Sequence, residues 1–104
     1  MQVVFDANGP SGTMGREDCL YLNVFAPTKA TPASGLAVMV HLHPGGNYFG
    51  APYENPSAFV DRNVIVVTVA YRLGVFGFLG RQELLSADGT TGEYAMLDQL
   101  AALQ

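Results

Sequence analysis

The sequence holds a single cysteine, Cys19, so no disulfide can close within it and the redox compartment stays undecided. Charge is scarce as well: 13% of the 104 residues are charged, with five Lys/Arg against nine Asp/Glu and a net charge of −4. No basic stripe is available to neutralise phosphates, so nucleic acid is not an expected partner. No apolar run approaches the roughly 18 residues that a membrane span requires. The opening residues MQVVFDANGP have neither a basic segment nor a long apolar core, so no signal peptide is expected in this chain. That leaves its localisation unassigned. No segment repeats, and none is low in complexity.

What the chain does have is apolar surface, at 49% hydrophobic residues, enough for one small domain or a part of a larger one. Residues 7–16, ANGPSGTMGR, read as a loop because Asn-Gly, Gly-Pro and Ser-Gly follow one another. Residues 19–25, CLYLNVF, are rich in β-branched and aromatic side chains and read as a strand closed by Pro27. Residues 36–43, LAVMVHLH, are apolar on both faces, the pattern of a strand covered on two sides in a parallel sheet. Residues 64–71, VIVVTVAY, share that pattern. The roughly 20 residues between them fit a parallel crossover, with a short helix opened by Asn55 as N-cap and Pro56 as its first residue. Residues 72–80, RLGVFGFLG, read as a loop with glycine at every third position. The last element is a helix with a capping box at TTGE, residues 90–93, and apolar positions Met96, Leu97, Leu100 and Leu103 at helical spacing. No cap or breaker follows it before Gln104.

The stretch HPGGNYFG, beginning at His43, breaks the end of a buried strand into bare glycine. Gly45 and Gly46 leave two backbone N–H groups unshielded at the carboxyl end of a strand, where α/β sheets bind ligands. Two such donors aimed at one point can hold a developing oxyanion. A turn between elements is the simpler reading of a glycine pair taken alone.

Four segments in this order resemble one family. EDCLYLNVFAP, HPGGNYFG, VVTVAYRLGVFGFLG and GEYAMLDQLAALQ, spread over residues 17–104, are similar to the N-terminal part of the type-B carboxylesterases, the cholinesterase-like α/β-hydrolases. The resemblance implies an α/β chain carrying a partial α/β-hydrolase fold: mostly parallel central strands with crossover helices in an incomplete sheet. The whole chain, residues 1–104, would be a partial carboxylesterase domain, with residues 1–16 as a loop-rich lead. It also implies hydrolysis of small-molecule carboxylic esters by a Ser, an acid and a His, with Gly45 and Gly46 in the oxyanion loop and His43 opening it. Pro44 stands where the family has a first glycine. Asn47 stands where an aromatic or small residue is more usual. Tyr48 and Phe49 are candidates to line a substrate pocket.

None of the four serines, Ser11, Ser34, Ser57 and Ser86, sits in the G-x-S-x-G elbow that a hydrolase nucleophile needs. No catalytic triad residue is therefore assigned in this chain, and no cofactor is expected. The leading expectation is an N-terminal part of an esterase that carries an oxyanion loop without its nucleophile. The alternative is a non-catalytic interaction module of the same lineage. A third reading places a metal on His41 and His43, two residues apart on one strand, but a metal needs three or four ligands and no motif supplies the rest. A core histidine is preferred there. Cys19 reads as a small buried hydrophobe. Glu17, Asp18, Arg72 and Asp98 resemble family positions that make structural ion pairs, with the partner of Arg72 expected outside the chain. Two central-type strands and one long helix leave much apolar surface uncovered, so the rest of a hydrolase domain is expected to be needed for stability.

Overall fold

A computed structural model of the protein describes residues 2–6, 9–14, 18–87 and 89–104. Its first sheet is a two-stranded antiparallel hairpin of β1 (Gln2–Asp6) and β2 (Gly9–Met14). A loop was expected over residues 7–16, which contain the whole of β2. Strand ladders bond main chain to main chain, so glycine-rich sequence can pair without side chains to announce it. Pro10 lies opposite Phe5, beside a register shift between Val4 and Phe5, the kind of irregular position where a strand tolerates proline.

The second sheet has the order β3-β5-β4. Its strands are β3 (Leu22–Phe25), β4 (Val38–Leu42) and β5 (Ile65–Val69), each shorter than the apolar run that encodes it. β4 and β5 are parallel neighbours, as their two-sided apolar character implied, and β3 joins the other side of β5 antiparallel. The crossover between β4 and β5 contains α1 (Ser57–Val60). Pro56, not Asn55, occupies the cap position, and Asn55 Oδ1 instead accepts the Ser57 N–H at 3.1 Å from one residue further out.

Register decides which face each side chain takes. One row is Asn23–Thr68–His41, where Asn23 Nδ2 donates to the fully buried Thr68 hydroxyl at 3.1 Å. The alternate rows, Leu22–Val69–Leu42 and Val24–Val67–Val40, share the opposite face. On that face Leu22, Val24, Val38, Val40 and Leu42 are all 38% to 60% exposed, so an apolar sheet surface stands open.

After β5 the chain forms α2 (Gly74–Phe78) where a loop was expected. The recurring glycine that reads as a breaker is here a contact requirement. A Cβ on Gly77 would lie 3.0 Å from Ala95 Cβ and press on the Arg72 carbonyl, so glycine lets α2 approach α3 (Tyr94–Ala102). The small core sits at this junction, formed by Tyr71, Leu73 and Ala95 with Phe78 packed against them.

The helix expected at the C-terminal end is present, but not its capping box. Glu93 takes the cap position without a side-chain cap bond. The Thr91 hydroxyl is engaged elsewhere, accepting the Arg81 N–H at 3.3 Å and sharing a 3.2 Å bond with the Tyr94 hydroxyl. The stripe Met96, Leu97, Leu100 and Leu103 has helical spacing yet is roughly half exposed. The face turned inward carries Ala95 and Asp98.

Candidate oxyanion site

β4 ends at Leu42, and the next residue is the anchor of the site. His43 is 4% exposed, and its ring stacks on Tyr71 with centroids 4.4 Å apart and planes 10° from parallel. The Tyr71 hydroxyl donates to the His43 carbonyl at 2.8 Å. Burial pushes the Tyr71 phenol above its ordinary value, so it stays protonated and a donor. His43 Nδ1 lies 3.0 Å from the Pro44 carbonyl oxygen. A carbonyl only accepts, so in that bond Nδ1 carries the proton. This buried ring belongs to the scaffold of the loop.

The loop then folds on itself. Tyr48 and Phe49 N–H groups both donate to the Gly45 carbonyl, at 3.0 and 3.2 Å. Gly45 and Gly50 have φ of 136° and 132°, and Gly46 and Asn47 have φ of 59° and 62°. A Cβ on Gly45 would overlap the Phe49 carbonyl oxygen, and one on Gly50 would overlap His43 Nδ1. Glycine is thus required twice by space and by conformation. Asn47 holds a left-handed position that asparagine tolerates better than most residues. Pro44 has negative φ, the only range proline allows, so it fits this backbone without conflict.

Among the described residues, the N–H groups of Gly45 and Gly46 donate to no protein acceptor. Both follow the buried His43 anchor, with Pro44 between. Asn47 contributes a second tether: its carbonyl accepts the Gly74 N–H at 2.8 Å, which ties the loop to the start of α2. An open depression of about 380 Å³ lies along this junction, lined by Gly46, Tyr48, Val75, Phe78 and Leu79 among others. Of the two aromatic candidates, Tyr48 lines it; Phe49, 51% exposed, is not among its walls.

A third layer fixes the anchor itself. Arg72, next to Tyr71, meets Asp98 of α3 in a two-pronged pair, Nη2 to Oδ1 at 2.7 Å and Nε to Oδ2 at 2.8 Å. Its backbone N–H adds a 3.0 Å bond to Oδ2, and Nη2 reaches the Tyr94 carbonyl at 3.3 Å. The partner expected outside the chain is therefore inside it. Burial alone would raise the Asp98 carboxyl, but the hydrogen bonds and charge of Arg72 outweigh it and hold the group below its ordinary value. The Arg72 guanidinium rises in return, chiefly through its bond to Asp98.

The other candidates are not drawn together. His41 is part-buried on β4, its Nε2 lacks a hydrogen-bond partner, and Glu54 Oε1 stands 3.9 Å away. Among the described residues no three His, Cys, Asp or Glu side chains gather as a metal site. No helix of the described residues is long and apolar enough to cross a membrane. Cys19 is a free thiol, half-buried rather than buried. Asp18 is exposed, and Glu17 lies outside the described residues. Reading the sequence missed Tyr71, Asn47 as a tether, and Gly50; only Gly50, third glycine of HPGGNYFG, had a visible signal.

Comparison with known proteins gives the family. A sequence model described as "Carboxylesterase family" matches residues 1–104. Carboxylesterase 1C of Mus musculus is 43% identical over 90 residues, 85% of this chain and 16% of that protein. Juvenile hormone esterase of Tribolium castaneum is 44% identical over 93 residues, 86% of this chain and 15% of that protein. Among solved structures, PNB esterase superimposes with a TM-score of 0.71 at 40% identity, covering 99% of this chain and 21% of that one. Juvenile hormone esterase of Manduca sexta gives 0.76 at 33% identity, covering 99% and 19%. The chain thus spans about a sixth of the curated relatives it matches.

Proposed function

The chain belongs to the carboxylesterase family and carries part of an α/β-hydrolase fold, and from that premise we propose that it supplies the oxyanion-binding loop of a serine carboxylic-ester hydrolase. In this reading Gly45 and Gly46 donate their N–H groups to the substrate oxygen as the carbonyl becomes tetrahedral. The observation that carries it is the pair of amides, unbonded within the described protein, at the end of a sheet strand. Preorganisation is what makes such donors effective, since they need not reorient when charge develops. His43, Tyr71, Arg72 and Asp98 form the support that keeps them aimed.

The nucleophile, acid and base of this proposal are not among these 104 residues. The small-molecule ester is the expected ligand, and the remainder of a hydrolase domain would cover the open sheet face and the outward stripe of α3. A non-catalytic interaction role finds less support, because surface binding gives no reason for two uncapped glycine amides.

The test is a chimera in which this chain replaces the matching 21% of PNB esterase. Retained hydrolysis of p-nitrophenyl esters supports the proposal, and a folded but inactive chimera counts against it. The isolated chain should turn over no p-nitrophenyl acetate; turnover abolished by altering one of its four serines would refute the assignment.

A further inference from the structure

Three successive peptide units at the start of the loop each have their carbonyl tied down. The Tyr71 hydroxyl donates to the His43 carbonyl at 2.8 Å, and His43 Nδ1 to the Pro44 carbonyl at 3.0 Å. The Tyr48 and Phe49 N–H groups donate to the Gly45 carbonyl at 3.0 and 3.2 Å. None of the described peptide bonds is cis. In a planar trans peptide the N–H points opposite to the carbonyl of the same unit. The Pro44 carbonyl therefore sets the direction of the Gly45 N–H, and the Gly45 carbonyl sets that of the Gly46 N–H. We propose that His43 and Gly50 are positioning residues for the reaction: the bond from Nδ1 to the Pro44 carbonyl, for which Gly50 leaves room, aims the Gly45 amide. The inference rests on the oxyanion reading.

The peptide between Pro44 and Gly45 takes its direction from φ and ψ of Pro44. The pyrrolidine ring locks φ, and the Nδ1 bond holds ψ. With proline in this place, one contact decides where the amide points. That contact is buried with His43, 4% exposed, where little water competes for the carbonyl. Gly50 covers it. A Cβ there would overlap both Nδ1 and the Pro44 oxygen, and φ of 132° is a backbone conformation that side chains rarely allow. Gly50 carries neither of the two donor amides, yet a side chain on it would part the ring from the carbonyl and let the Gly45 N–H turn.

The experiment keeps the full chain inside the PNB esterase chimera and separates the bond from the packing. His43→Phe keeps a ring against Tyr71 but has no Nδ1–H. His43→Asn gives up the ring but places an amide N–H near the position of Nδ1. With p-nitrophenyl acetate, kcat should fall about tenfold or more in His43→Phe and less than about threefold in His43→Asn, with KM little changed in both. Denaturation midpoints should run in the opposite order, lower in His43→Asn. Gly50→Ala should lose kcat as His43→Phe does. Nitrogen NMR of isotope-labelled histidine, in mildly alkaline buffer, reads the bond directly: the signal that His43→Phe removes should report a protonated Nδ1 and a bare Nε2. A proton on Nε2 instead, an unchanged kcat in His43→Phe, or kcat values that simply follow stability would overturn the proposal. A folded parent chimera without activity strikes the oxyanion reading, and the histidine spectrum then decides the Pro44 bond by itself.

Discussion

Gly45 and Gly46 carry equivalent amides, yet the structure gives them very different tolerance to a side chain. At Gly45 an alanine Cβ would overlap the Phe49 carbonyl oxygen, and φ of 136° is a conformation that residues with a side chain rarely adopt. Gly45→Ala must therefore open the turn that Tyr48 and Phe49 close on the Gly45 carbonyl, and both amides swing with it. Losing an oxyanion donor typically costs about 3 kcal/mol in the transition state, on the order of 100-fold in kcat. At Gly46 a Cβ meets nothing within 4 Å, and φ of 59° is an ordinary left-handed position. The cost there is about 1 kcal/mol of backbone strain, paid in folding and not in the transition state. In the PNB esterase chimera, Gly45→Ala should lower kcat for p-nitrophenyl acetate about 100-fold, and Gly46→Ala less than about fivefold. Similar losses from the two variants, or an unaffected Gly45→Ala enzyme, would refute the reasoning.

Three further perturbations follow from the support behind the loop and from the open surface. Asp98→Asn should destabilise the chimera by about 2 kcal/mol, between the values of exposed and buried pairs, because Asp98 is 5% exposed while Arg72 keeps 37%. Since the folded Asp98 titrates below its unfolded value, its contribution is complete above about pH 4 and is lost as pH falls through the folded value. Denaturation midpoints across that range should fall in the parent and flatten in the variant. Tyr71→Phe keeps the stack on His43 but strips the buried His43 carbonyl of its donor, which costs about 1–2 kcal/mol and loosens the loop. Its kcat should drop while KM changes little, as steady-state kinetics will show. Val24→Lys with Val40→Glu places charge on the uncovered sheet face and should reduce self-association of the isolated chain in sedimentation velocity; unchanged association would locate the sticky surface elsewhere.

The parts of the fold that were legible are those written in side-chain pattern. Two-sided apolar runs identified β4 and β5 and their parallel pairing, and turn chemistry put the glycine loop at the end of β4. The parts that escaped depend on main chain or on distant contacts. β2 pairs through its backbone, so its glycines read as loop. α2 contains Gly77 because Arg72 and Ala95 crowd it, and glycine has the same letter whether it breaks a helix or lets one approach. The Arg72–Asp98 pair spans 26 positions, and the charge pattern along the chain gives no hint of it. The stripe on α3 was read correctly as helical, but spacing does not say which face a helix turns inward. At the site, Gly45 and Gly46 were named from the motif, whereas the Tyr71 clamp depends on the alignment of β5 with β4.

The most direct measurement is a crystal structure of the chimera after a phosphonate ester has reacted with its serine. The account predicts a phosphonyl oxygen 2.7–3.1 Å from both the Gly45 and Gly46 amide nitrogens, the distance that a working oxyanion donor requires. An oxygen held by other groups, or either amide bonded to a protein carbonyl in the adduct, would contradict it.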